Sequence, residues 1–476
     1  MKKNDFRDAR PHGVSSGRFR SLLCAGVALS ALTTVTLAYA AGTGLPTQDT
    51  NAIAHSFGGV TVDDDPSIAY YNPAGMVMIQ GNAFEGDLNL YDIKSKFSGQ
   101  DQITPGVAPG GNVTNGMPSN FLEETVIPGT FAVNSLPGGI KAGLTVTTPN
   151  GGRIKYPTNF VGDYEGSEAL LTEIQVSVPI AVPITDRFSI GAAPIVDWFQ
   201  NYVSLTQNET SLNSATPNGN GALGRFRGSN YSPGFDVGAL YQFSPDTRVG
   251  INYHSKIVHD VKGTETIDIG QLRTLGNAVD SLGSLLGLGT AIALPPAASP
   301  AFDKWIFPQS VSFGLFQRIS QQFDVMASAE WTDWQQAGNL DITDPSSAPF
   351  TGGGIFTPFK YRDAWTVGAG ADYFPIPRIK LMGGVGYDET PVLTQYRNDL
   401  LPDNNRVMVS GGFAVQLLSN MKLEAAYAHY FIAGAAIDQT RQSLGPTGLT
   451  PTQAGTLTGQ YTLSADVFST GFILKF

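Results

Sequence analysis

The chain holds one cysteine, Cys24, in 476 residues. That residue falls in a segment that reads as a cleaved leader, so the remainder has no thiol at all. A disulfide-stapled module and a cysteine-based metal cluster are both excluded. Histidine is scarce too, five in all and isolated from one another, so no metal site and no cofactor is expected. Charge is thin: 14% of residues are Asp, Glu, Lys or Arg, against roughly 25% in soluble domains. Beyond the leader no apolar run reaches about 18 residues, which excludes a transmembrane helix. Nor does a G-x-S-x-G elbow occur there. No catalytic residue is expected, and the chain does not read as an enzyme.

Residues 1–40 carry the pattern of an export signal. Lys2, Lys3, Arg7, Arg10, Arg18 and Arg20 precede an apolar run over 22–37, and Ala38-Tyr39-Ala40 forms a small-x-small cleavage site. A lipid anchor on Cys24 is excluded, because Leu23 stands where a small residue is required and the apolar run follows the cysteine. Taking the leader's six Lys/Arg and two Asp/Glu from 29 and 40 leaves 23 basic and 38 acidic residues, a net charge of −15. Such a chain is not expected to bind nucleic acid.

What the sequence does have is glycine, 55 residues, aromatics at 10%, and two-residue alternation. Phe188, Ile190, Ala192, Pro194, Val196 and Trp198 alternate with Ser189, Gly191, Ala193 and Asp197. Phe323, Val325, Ala327, Ala329 and Trp331 alternate with Asp324, Ser328 and Glu330. A sandwich core and a lipid-facing barrel wall give the same alternation; connection lengths separate them. About fourteen strands are legible, near 82–96, 122–134, 139–148, 169–183, 187–203, 230–243, 247–268, 305–318, 322–335, 361–374, 378–389, 405–417, 421–433 and 460–476. Their connections alternate between tight turns and loops of about 15 to 35 residues, the outer-membrane pattern with short turns in the periplasm. The expected fold is all-β: a transmembrane antiparallel barrel over 81–476, in contact with outer-membrane lipid. The last strand places Phe468, Phe472, Leu474 and Phe476 at alternate positions, which resembles the terminal signal read by the barrel-assembly machinery.

Two stretches do not read as strand. Residues 41–80 are rich in Gly, Asp and Pro and precede the barrel. Within 271–300, Leu272, Leu275, Val279, Leu282, Leu285 and Leu286 recur at helical spacing. An amphipathic helix in an extracellular loop is expected there. It either packs on its own loops or offers Leu282, Leu285 and Leu286 as part of an entry groove for an apolar ligand.

Asn51-Ala52 to Gly58-Gly59, Asp63-Asp64-Asp65-Pro66-Ser67 and Tyr70-Tyr71-Asn72-Pro73-Ala74-Gly75-Met76 resemble the N-terminal hatch of the FadL family of outer-membrane fatty-acid and hydrocarbon transporters. Tyr253-His254-Ser255-Lys256, Glu330-Trp331-Thr332-Asp333-Trp334, Tyr387-Asp388-Glu389-Thr390-Pro391-Val392 and Leu401-Pro402-Asp403-Asn404-Asn405-Arg406 follow in that family's order. The resemblance implies fourteen strands, a plug at 41–80 with the hatch motif Asn72, Pro73 and Ala74, a lumenal pocket, and a third-strand kink opening sideways to lipid. Pro149, Gly151 and Gly152 are candidates for that kink, since Pro lacks a ladder donor and Gly permits a bend; an ordinary loop start is the favoured reading of these residues.

The implied function is passive uptake of a hydrophobic substrate. Long-chain fatty acids come first, aromatic or alkane hydrocarbons are the alternative, and a diffusion porin or adhesin barrel are readings from other classes. By alternation Lys256, Arg362 and Arg406 point into the outer lumen, where they are candidates for a carboxylate head group. The competing expectation pairs them with Asp363, Asp388 or Asp403.

Overall fold

The computed structural model describes residues 44–476 apart from 104–110, 114–116, 158, 163–165, 208–221, 269–295, 347–353 and 444–451. The leader and Leu282, Leu285 and Leu286 lie outside the described residues. Fourteen antiparallel strands close into a barrel. The first, Ala83–Ile103, pairs along its whole length with the last, Thr452–Lys475, from Ala83 opposite Lys475 to Ile103 opposite Gly455.

Alternation is what builds the wall. Along the fifth strand, Phe188–Gln207, Ile190 and Val196 are exposed while Ser189, Gly191, Ala193 and Asp197 are buried. Tyr231, at 72% exposure, and Phe235, Phe313, Leu381 and Phe413, near half, continue the outer belt around the barrel. An apolar surface this extensive suits only a hydrocarbon surround. The expected strand order and turns hold, but several outer ends run further than alternation suggested. The sixth strand begins at Ala222 and the fourteenth at Thr452. Ala298–Phe307 is strand paired with Ile257–Asp268, which corrects the end of the helix expected over 271–300; the rest of that stretch, through 295, lies outside the described residues.

Several strands are interrupted, among them the third, seventh and eighth. The eighth breaks between Ala298–Phe307 and Ser310–Arg318 at Pro308, which has no ladder donor. Beside it the seventh breaks between Thr247–His254 and Ile257–Asp268. Inward residues are even-numbered before that break (Arg248, Asn252) and odd-numbered after it (Ser255, Ile257, His259). The third strand, Lys141–Thr147, breaks at 148–150 and resumes as Gly151–Lys155.

Residues 44–79 occupy the lumen. Asp49 caps the short helix Thr50–Ala54 by accepting from the Ala52 amide at 2.9 Å. Ile68–Tyr71 and the 3-10 turn Pro73–Met78 follow, and almost every residue of the segment is buried. Glycines on the inner wall make the close fit. A Cβ on Gly238 would stand 2.1 Å from Asn72 Oδ1, and one on Gly384 would stand 2.2 Å from the His55 carbonyl carbon.

Candidate functional site: a lumenal cavity beside an interrupted strand

Inside the barrel the side chains sort by height. At the short-turn end the contacts of the hatch are polar. Lys422 bridges Asp65 at 2.6 Å and Glu424 at 2.9 Å. His55 meets Asp372 at 2.7 Å, and the Thr50 hydroxyl donates to Asp87 at 2.6 Å. Asn72 behaves as an anchor: its Nδ2 donates to the Thr61 and Ala239 carbonyls at 2.9 and 3.1 Å, and its Oδ1 accepts from the Ala74 amide. The Ala74 carbonyl accepts from Ser189 Oγ on the wall at 2.9 Å, while Pro73 and Ala74 lie against Gly191. The hatch-motif residues therefore fix the turn to the barrel.

Towards the long loops the filling is aromatic. Tyr156 stacks on Phe160 at 3.9 Å, and Phe97 meets Tyr461 at 4.7 Å. Phe199 packs with Trp305, Phe307 and the His259 ring, and Phe359 stacks on Tyr361. A void of about 30 Å³ opens there between Leu171, Val203, Trp305, Phe359, Leu400 and Leu401.

Between the two zones lies a cavity of about 130 Å³. The hatch contributes Leu45, Phe57, Tyr70 and Tyr71 to its walls; the barrel contributes Glu173, Asp236, His254, Glu330 and Asp388; Trp334 closes one side. His254 Nδ1 is 2.8 Å from Asp236, and Arg406 Nε donates to Asp388 at 2.8 Å. Glu173 accepts from Asn150 Nδ2 at 2.7 Å, and Glu330 accepts from the Ser312 hydroxyl. The Tyr70 phenol is pushed well above the usual tyrosine range, first by burial and then by the carboxyl groups of Glu173, Asp236 and Glu330. It stays a neutral hydroxyl.

Pro149 and Asn150 also border this cavity. Apart from a bridge of Ile154 to Leu122 beyond the break, the third strand pairs with the second only from Lys141 opposite Ser135 to Val146 opposite Thr130. It then turns in to the hatch: the Leu45 amide donates to the Pro149 carbonyl at 2.7 Å, and Gln48 exchanges two hydrogen bonds with the Thr148 backbone at 2.9 and 3.0 Å. Thr125 to Gly129 of the second strand thereby lose the third as ladder partner, and the Gln48 carbonyl sits against Gly129 in the space left. Of the kink candidates, Pro149 lies in the break, while Gly151 and Gly152 begin the resumed strand, paired with Thr172 and Leu171 of the fourth.

The three head-group cations do not converge. Lys256 is exposed on the outer face, a correction to the alternation argument, because the seventh-strand break reverses which parity points inward. Arg362, with 43% of its side chain exposed, pairs with Glu389 at 2.9 Å. Arg406 does point inward, but it is 1% exposed and held by Asp388, with its guanidinium 5.4 Å from the Tyr430 ring. The expectation of lumenal ion pairs describes Arg406, with Asp388 as partner, and Arg362 chooses an acid not among those named. Alternation places Glu330 on the inner face, but nothing in the spacing of Glu173, Asp236 and His254 signals that four strands bring them to it.

Residues 31–476 match the family described as outer membrane protein transport protein (OMPP1/FadL/TodX). The chain is 23% identical to a putative outer membrane protein of Neisseria meningitidis serogroup B, over 96% of this chain and 98% of that one. It is 22% identical to the long-chain fatty acid transport protein of Escherichia coli K12, over 86% and 92% of the two chains. The solved structure of a Pseudomonas aeruginosa FadL homologue superposes with a TM-score of 0.77 at 24% identity, covering 92% of this chain and all of that one, 100%. The Ralstonia pickettii toluene transporter TbuX superposes at 0.60 with 16% identity, over 91% and 99%. Likeness at these identities speaks for the fold.

Proposed function

The chain belongs to the outer membrane protein transport family (OMPP1/FadL/TodX) and is an integral β-barrel of the outer membrane, and on that premise we propose that it takes up hydrophobic small molecules passively. The observation that carries this reading is a largely buried lumen whose aromatic outer half leads to a cavity beside the 148–150 break. A water-filled pore offers an apolar tail nothing, whereas burial gains about 0.8 kcal/mol per CH₂. A ligand passing the aromatic zone would reach the cavity next to residues 44–48, the part of the hatch that fills the gap between the second and third strands. Displacing that part would open a way from the cavity to the lipid, so that release needs no water-filled channel through the hatch.

Long-chain fatty acids are the substrate class suggested by the relative in Escherichia coli. Uncharged hydrocarbons are favoured by one observation, that the three cations expected to gather a carboxylate are dispersed. Uptake of labelled oleate and labelled toluene by cells with and without the gene tests the reading. Gene-dependent accumulation of at least one is expected; equal accumulation with and without the gene for both would overturn it.

A further inference from the structure

The polar cavity at the centre of the lumen is unbalanced in charge. Asp236 has His254 and Asp388 has Arg406, but Glu173 and Glu330 have no cation within salt-bridge distance among the described residues. Glu330 accepts from the Ser310 and Ser312 hydroxyls, and Glu173 accepts from the Asn150 amide and shares a further hydrogen bond with Asp197, itself an acid. A separate observation points the same way. Asn252, 5% exposed, lines the cavity; its Nδ2 is committed to Asp236, while its Oδ1 accepts from no described group. The cavity thus holds two carboxyl groups with no counter-ion among the described residues, beside an amide oxygen with no donor. Around them stand ring faces and edges from Phe57, Tyr70, Tyr71, Phe307 and Trp334.

A buried carboxyl without a counter-ion is stabilised by an incoming positive charge or donor and destabilised by another anion. Aromatic walls add attraction for an ammonium and none for a carboxylate. Among the described residues no group of three His, Cys, Asp or Glu is placed to hold a metal ion. We propose that this cavity selects hydrophobic molecules whose polar end is a hydrogen-bond donor, an ammonium before a hydroxyl, and discriminates against carboxylates. The tail would lie along the aromatic zone and the donor end between Glu173, Glu330 and Asn252. The inference rests on the lumen being the substrate's path, and it narrows the substrate class.

Decylamine, decanol and decanoate share one tail and differ only at the head, so their binding to the purified full chain in nonionic detergent at pH 7 tests the ranking. Decylamine is expected to bind about tenfold tighter than decanoate, roughly 1.4 kcal/mol, with decanol between them. The E173Q/E330Q double variant should bring amine and carboxylate to within about threefold of each other while leaving decanol within about threefold of its wild-type affinity. Heat-modifiable migration confirms that the variant is folded; if it is not, the wild-type ranking decides alone. Decanoate binding as tightly as decylamine, or a folded double variant with the ranking unchanged, would overturn the selectivity and leave uptake standing. Failure of all three ligands to bind would overturn both.

Discussion

The two halves of the lumen are filled by opposite chemistry. At the periplasmic end the hatch is held by ions and hydrogen bonds: Lys422 between Asp65 and Glu424, Lys380 and His55 on Asp372, Arg248 on the Val62 carbonyl. At the outer end Phe97, Phe160, Phe199, Trp305 and Tyr461 meet mostly through ring contacts. Ion pairs have definite geometry and resist sliding, so they suit a segment that must stay docked. Rings can be displaced by another apolar surface at little net cost, which suits a passage for apolar molecules. One barrel thus separates holding from conducting by height, with the mixed cavity at the boundary.

Breaking the polar half should have the largest effect on leakage. Lys422→Met leaves Asp65 and Glu424 buried without their cation, a loss of about 3–5 kcal/mol, and small polar solutes should enter proteoliposomes far faster than with the wild type. Gly238→Val comes next. Its side chain would collide with Asn72, and overpacking of this kind costs typically about 1–3 kcal/mol, so single-channel conductance should rise without loss of the barrel's heat-modifiable migration. A smaller effect is expected from pH. Burial, followed by Asp65 and Asp64, raises the Asp63 carboxyl to about 7 from an unfolded value of 3.8. Between those values the docked hatch binds more protons than the released one, so docking weakens as pH rises through about 7. Conductance should be higher at pH 8 than at pH 5, and Asp63→Asn should flatten that dependence. The least leakage of all is expected from Phe199→Ala in the aromatic half. Toluene or oleate uptake should fall there while conductance stays at the wild-type level; a rise comparable to that of Lys422→Met would mean the halves are not separate in function.

Much of the wall was legible in the sequence, because lipid on one side and a filled lumen on the other impose a period of two on every strand. Phe188 to Trp198 and Phe323 to Trp331 show it without any long-range information. Asn72 was legible as an anchor of a turn, since its capping bond to Ala74 is local; its bond to the Ala239 carbonyl, 167 residues away, was not. Alternation failed at Lys256 because the register with the sixth strand shifts by one residue across the break, from His254 opposite Asp236 to Lys262 opposite Ser229, and one residue reverses parity. The cavity was illegible for a related reason. Glu173, Asp236, His254 and Glu330 come from four strands, and their meeting depends on barrel closure, which has no short-range sequence signal.

The contact of Thr50 carries a consequence for how the barrel closes. Its hydroxyl lies 2.6 Å from Asp87 of the first strand and 2.7 Å from Ser469 of the last. Those two strands form the seam that closes the barrel, and their register sets Asp87 opposite Gly471. A Cβ at Gly471 would stand 2.2 Å from Asp87 Oδ1 and 2.8 Å from Thr50 Oγ1, so the threonine is admitted only because glycine is there. Slipping the seam by two residues keeps every inward side chain inward but sets Ser469 or Ile473 in that place. Backbone ladders alone tolerate such an error; the hatch does not. The N-terminal segment and the seam are therefore fitted to one register, since a slip of two residues puts a side chain where Thr50 sits.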